Sequence, residues 1–181
     1  RKMGGIYGLR GDREKAFDCN IQSLKICEEI GDKRGMGRAL SNIGNQYIHL
    51  GEYDKSIDYF NRSLYINEEI DDDFGIAVVL GNIGAYFLNI GDNIKALEYS
   101  TRCLTIHEGM DDKKGMTYPL RDIGIVHFNE GDYNKAEEYL KKSLAIQREI
   151  GFKQIEKYTI TYLYLAFKCL GKGYDIEEIC S

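Results

Sequence analysis

GDKRGMGRALSNIGNQYIHLGEYDKSIDYFNRSLYINEEI, residues 31–70, returns twice without a gap. Residues 71–110 read DDDFGIAVVLGNIGAYFLNIGDNIKALEYSTRCLTIHEGM, and 111–150 read DDKKGMTYPLRDIGIVHFNEGDYNKAEEYLKKSLAIQREI. One glycine keeps the count: Gly11, Gly51, Gly91, Gly131 and Gly171 fall every forty residues. A fixed period in this range marks stacked copies of one supersecondary unit, a solenoid.

Each unit carries two apolar patterns of helical period. Met36, Leu40, Ile43, Tyr47 and Leu50 step by three and four, which places them on one stripe of a first helix, helix A. Ser56, Tyr59, Phe60, Ser63, Leu64, Ile66 and Ile70 do the same for a second, helix B. The recurring glycine lies between them, where a residue past a helix end needs positive φ. The acid that follows it (Glu52, Asp92, Asp132) suits the positive end of the next helix. A short connection forces the two helices antiparallel. Helices are therefore expected near 13–30, 33–50, 53–70, 73–90, 93–110, 113–130, 133–150 and 153–170, with no strand. Pro119 stands where the other units have Ala39 and Val79. It predicts a late start near Thr117 or a kink, because proline removes a hydrogen bond and crowds the preceding turn.

Gly44, Gly84 and Gly124 sit inside helix A at one phase. Glycine costs roughly 1 kcal/mol against alanine there, so close packing must offset it. Ser56, Ala96 and Ala136 form the matching small site on helix B, and Ser63, Cys103 and Ser143 a second.

These residues carry a resemblance. Ile43-Gly44 with Tyr47, Ile83-Gly84 with Phe87, then a turn glycine and a small residue twelve positions after the first glycine resemble a tetratricopeptide repeat. The common repeat has about thirty-four residues. The forty-residue form is similar to that of Pins/LGN-type adaptors and bacterial tetratricopeptide signalling proteins. The resemblance covers nearly the whole chain and implies an all-α, right-handed solenoid of antiparallel helix hairpins. The expected organisation is a single array over 1–181: a partial repeat 1–30, repeats 31–70, 71–110 and 111–150, and a partial terminal repeat 151–181. The chain opens on Arg1 and both ends read as part-repeats without a visible cap, so a segment of a longer or processed protein is expected. Self-association through the uncapped ends, with Tyr158, Leu163, Leu165 and Phe167 uncovered, is expected too.

Composition narrows the function. The net charge is -5, which argues against a nucleic-acid partner, since that needs a basic footprint. No run approaches the ~20 apolar residues of a membrane span. Five cysteines without a C-x-x-C fit a reducing, cytoplasmic setting. Cys103 reads as a small core residue. His127 takes the tyrosine position of the core stripe. His107, late on a helix B, reads as solvated. No metal site, cofactor, phosphate loop or catalytic group is legible. The acids at 71–73 and 111–112 lack a calcium-loop pattern and read as helix N-terminal acids. A non-enzymatic chain follows.

The informative surface is the other face of helix A, which lines the concave side of stacked hairpins. Its stripe holds Arg38, Ser41, Asn42, Asn45 and His49 in the first full repeat, and Val78, Asn82 and Asn89 in the second. It holds Tyr118, Arg121, Asp122, Ile125 and Asn129 in the third, and Tyr158 and Tyr162 in the last. An asparagine amide both donates and accepts, so it can bracket an extended peptide backbone. The family resemblance implies that Asn42 and Asn82 touch bound peptide; the alternative is that they bond neighbouring helices or water. Arg38 and Arg121 can pair with a carboxylate. The expected peptide-binding residues are Arg38, Asn42, Asn45, His49, Asn82, Asn89, Tyr118, Arg121, Asp122 and Ile125. The expected function is a protein-binding scaffold or signalling adaptor that takes a peptide or short helix. The alternative is a regulatory, sensory or self-association segment fused to a kinase or protease.

Overall fold

The structure is a computed structural model that describes residues 13–172. Those residues form eight α-helices and no strand. They are α1 (Arg13–Glu29), α2 (Lys33–Leu50), α3 (Tyr53–Glu69), α4 (Asp73–Asn89), α5 (Asn93–Gly109), α6 (Lys113–Asn129), α7 (Tyr133–Glu149) and α8 (Glu156–Cys169). The forty-residue register holds from α1 to α7. The part-repeat motif at 3–10 and Cys180 lie outside the described residues.

Caps set the register. Asp32, Asp72, Asp92, Asp112 and Asp132 each accept, through Oδ1, the amide N–H three residues on, at 2.9 to 3.2 Å. Such a cap contributes about 1 kcal/mol. The acids of the inter-repeat turns thus divide their work: Asp72 and Asp112 cap, while Asp71 and Asp111 take φ of 50° and 53°. Phe152 occupies the cap phase of the last repeat and cannot accept a bond. The last helix therefore starts at Glu156 rather than 153, behind Ile155, which offers no side-chain cap. The late start near Thr117 that Pro119 predicted does not occur. Helix α6 runs unbroken from Lys113 to Asn129 with Pro119 buried inside it, because Asp112 caps its first turn on the Gly115 amide.

The helices gather into two compact units, residues up to Asn82 and residues from Ile83 on. In the first, Leu24, Ala39, Leu40 and Ile43 are buried among Phe17, Met36, Tyr47, Tyr59 and Ile66. Helix α2 passes close to α3 at Gly44, where a Cβ would stand 2.8 Å from the Phe60 ring. In the second unit, Leu104, Leu120 and Ile123 form one cluster. Ala136, Leu140, Leu144, Leu163 and Phe167 belong to another. At Gly84 and Gly124 a Cβ would stand 2.8 Å from Ser100 and from Leu140. The close approach expected of these glycines is present. Its nearest partner is the side chain at the 60, 100 or 140 position, not the small residue four places earlier. Leu163 and Phe167 are buried against α7, which corrects the expectation that they lie uncovered.

The second small site does more than give room. The Ser63 hydroxyl donates to the Gly37 carbonyl and the Ser143 hydroxyl to the Thr117 carbonyl, each at 2.7 Å, tying helix B to helix A. Four residues later a buried polar side chain recurs: Asn67, His107, Gln147. Asn67 donates to Ser63 Oγ at 3.4 Å, and Gln147 donates to Ser143 Oγ at 2.7 Å and Thr159 Oγ1 at 3.0 Å. His107 is 5 % exposed, so its reading as a solvated residue is wrong. Gly115 opens the space it fills: a Cβ there would lie 2.1 Å from His107 Nδ1.

Candidate functional site

In each unit, residues from the non-core face of the A helices border an open cavity. In the first unit the cavity, of about 230 Å³, lies between α2 and α4. Arg38, Ser41 and Asn42 border it on α2, and Phe74 and Val78 on α4. Arg38 and Asn42 are exposed, and Arg38 makes no ion pair among the described residues. Asp72, at the same cavity, is held by its cap to Gly75 and by Arg34 Nε at 2.7 Å. Phe74 is 54 % exposed and Val78 40 %. A free guanidinium and a free amide thus face an apolar wall.

Asn82 is placed differently from Asn42. Its amide donates to Ser41 Oγ at 3.2 Å, a link between α4 and α2. Asn45 is half-buried and His49 exposed, and neither borders this cavity.

The second unit holds a cavity of about 480 Å³. Arg121, Asp122 and Ile125 of α6 border it, with Asn89 of α4 and Tyr158 and Tyr162 of α8. Arg121 directs Nε at 2.8 Å and Nη2 at 2.6 Å onto the single oxygen Asp122 Oδ1. Its guanidinium also lies 5.5 Å from the Tyr118 ring centroid. Tyr118 itself packs edge-on to Phe152 at 5.8 Å and is not a wall of the cavity. Asp122 is 4 % exposed. Burial pushes its carboxyl above the usual carboxylate range, and Arg121 offsets only part of that. Arg121 therefore has a partner within its own helix, unlike Arg38.

Of the expected site residues, the first cavity brings together Arg38 and Asn42, and the second Asn89, Arg121, Asp122 and Ile125. Phe74 was not legible as a site residue, because an apolar residue in the first turn carries no periodic signal. Tyr158 and Tyr162 were legible on the stripe but were not among the expected binding residues. No group of three His, Cys, Asp or Glu among the described residues could hold a metal ion. No described helix is long and apolar enough to cross a membrane.

A tetratricopeptide-repeat family model matches residues 35–109, and a second model of tetratricopeptide repeats matches 120–150, together more than half of the chain. No curated protein is significantly similar in sequence. Solved structures share the fold. BtubC from P. vanneervenii superposes with a TM-score of 0.81 at 18 % identity, over 97 % of this chain and 73 % of its own. The apo form of RapI gives 0.81 at 21 %, over 99 % and 64 %. A signal transduction ATPase with numerous domains from Pyrococcus horikoshii, which carries a tetratricopeptide repeat sensor, gives 0.75 at 19 %, over 91 % and 26 %.

Proposed function

Since the chain belongs to the tetratricopeptide-repeat family, a protein-interaction module, we propose that it binds a peptide or short helix on the non-core face of its A helices. The observation that carries this is the first unit's cavity. An unpaired Arg38 and an exposed Asn42 stand beside Phe74 and Val78, large apolar side chains that remain 54 % and 40 % exposed. Exposed large apolar groups rimmed by polar ones are how a soluble protein presents a binding surface. The amide offers donor and acceptor to a peptide backbone, and the guanidinium a partner for an acidic group. No step of chemistry is asked of the chain, which acts as a cytoplasmic scaffold or signalling adaptor within a single array.

A second reading makes the array a sensory segment of a larger signalling enzyme. The fold likeness to the Pyrococcus horikoshii ATPase, with its repeat sensor, supports it. Both readings use the same face. The test is a peptide-display selection on the immobilised chain, followed by titration of the isotope-labelled protein with the selected peptides. Amide shifts should concentrate on α2, α4 and α6 around Arg38, Asn42 and Val78. Shifts confined to the outer faces of α3, α5 and α7, or no selected peptide at all, would overturn the proposal.

A further inference from the structure

Arg121 and Asp122 are adjacent on α6, and their pairing leaves a specific remainder. Both guanidinium donors go to Oδ1. Oδ2 of the same carboxylate takes no hydrogen bond among the described residues, although Asp122 is 4 % exposed and its residue borders the cavity. This oxygen is not one of the enclosed, unbonded polar atoms of the described residues, so it is open to water or to an incoming donor. Arg121 Nη1 likewise keeps its two N–H groups, since only Nε and Nη2 are used. The two residues that border the cavity therefore keep one acceptor and one donor group unused.

Charge decides what fits between them. Among the described residues that border the cavity, Arg121 and Asp122 are the only Asp, Glu, Lys or Arg, and their charges cancel. An incoming carboxylate would meet Asp122, and an incoming ammonium would meet Arg121. A neutral group that donates and accepts at once meets neither penalty and satisfies both atoms. The remaining walls suit such a group: Ile125 and the Tyr158 and Tyr162 rings take an aliphatic stem, and Asn89 adds a further amide at the edge. The pair is also peculiar to this repeat. The two positions hold Ser41-Asn42 and Gly81-Asn82 in the preceding repeats.

We infer that the cavity of the second unit is a pocket for an uncharged carboxamide, the side chain of a glutamine or asparagine in a bound peptide. Its N–H donates to Asp122 Oδ2 and its carbonyl accepts from Arg121 Nη1. This rests on the peptide-binding reading and gives it a residue preference. Arg121 on this account does not read a carboxylate; it holds Asp122 in place and completes the pair.

The experiment uses the full chain, isotope-labelled, and five capped pentapeptides that differ only in the central residue: Gln, Asn, Glu, Lys or Leu, each flanked by alanines. Shifts of the Arg121 side-chain Nε–H and of the Tyr162 amide report occupancy. The Gln or Asn peptide is expected to bind about tenfold tighter than the other three, the scale of one desolvated hydrogen bond. In Asp122→Asn, Oδ2 becomes an amide donor and Arg121 loses its counter-charge, so the order should invert in favour of Glu. If Glu or Lys binds the native chain as well as Gln does, the inference is wrong, whatever the variant's folding. An unchanged order in a folded Asp122→Asn protein also overturns it. Those outcomes leave the broader proposal standing if selected peptides still shift α2 and α4; loss of all such shifts removes both.

Discussion

His107 Nδ1 lies 3.0 Å from Asp112 Oδ2, while Oδ1 of the same carboxylate accepts the Gly115 amide as the cap of α6. One aspartate thus joins the end of a helix B to the start of the next helix A. Burial lowers the His107 pKa from 6.5, and the nearby Asp112 opposes that only in part. A lowered pKa means that the folded state prefers neutral imidazole. Stability is then fully present above about pH 6.5 and is lost as pH falls through the folded pKa.

The expected outcome is a fall in the urea midpoint on acidification from about pH 7 to pH 5 that His107→Asn flattens. Asparagine is the residue at this position in the preceding repeat, Asn67, so it fits the site. Lowered carboxylates such as Asp132 and Glu137 lose their contribution at lower pH, which the difference between the two proteins removes. Equal slopes in both proteins across that window would show that His107 does not titrate with unfolding.

Glycine-to-alanine changes inside helices should split by sign. At Gly44 a Cβ would stand 2.8 Å from two atoms of Phe60, a ring that is fully buried. Overpacking of this kind costs about 1–3 kcal/mol, more than the roughly 1 kcal/mol of added helix propensity. At Gly109, the last residue of α5, nothing lies within 4 Å. Gly109→Ala should be neutral or stabilising by a few tenths of a kcal/mol, less than the full interior value of about 1 kcal/mol. Chemical denaturation of the two variants settles it; a stabilised Gly44→Ala would show that α2 and α3 can separate without loss.

Pro119 shows where sequence reading ran short. Its chemistry was legible, and so was its phase, but the outcome turned on the strength of the surrounding restraints. Asp112 fixes the first turn of α6, and Pro119 itself packs in the interior, so the helix continues through it. The periodic features were legible for a simple reason: Leu40, Leu80 and Leu120 repeat because each buries the same contact. His107 was not legible, because its burial depends on a glycine eight residues later rather than on its own neighbours. Arg121 is similar. Its place on the groove stripe follows from helical spacing, while its capture by Asp122 is a matter of rotamers that spacing does not encode.

Replacing Pro119 by alanine, the residue at position 39, returns an N–H that can donate to the Gly115 carbonyl. The interior cost of proline is about 3 kcal/mol. The buried packing of the proline ring offsets part of that, so Pro119→Ala should stabilise the chain by about 1–2 kcal/mol. The check is the thermal midpoint with the heat capacity held common to both proteins. A destabilised variant would mean that the proline ring's packing outweighs the missing bond.

The functional prediction separates the two faces of the hairpins. Asn42 is exposed at the first unit's cavity, and Asn82 already donates to Ser41. The two asparagines are therefore unequal. Asn42→Ala removes a group that is free to bond a peptide, and should weaken a selected peptide by about 1–2 kcal/mol, or roughly tenfold. Asn82→Ala acts through Ser41, which it holds, and should cost less in binding while costing some stability. On the outer face, Arg62 lies over the Tyr59 ring at 5.1 Å, and the exposed Lys142 pairs with Glu138. Reversing either charge should change affinity by well under about 1 kcal/mol. Arg38→Glu tests the cation directly: it should abolish binding of an acidic peptide and spare a neutral one. Calorimetric titration of one acidic and one neutral selected peptide against all five variants gives the comparison, with far-ultraviolet dichroism to confirm folding. If Arg62→Glu or Lys142→Glu costs as much as Asn42→Ala, the partner sits on the helix-B face and the cavity beside Arg38 has another role.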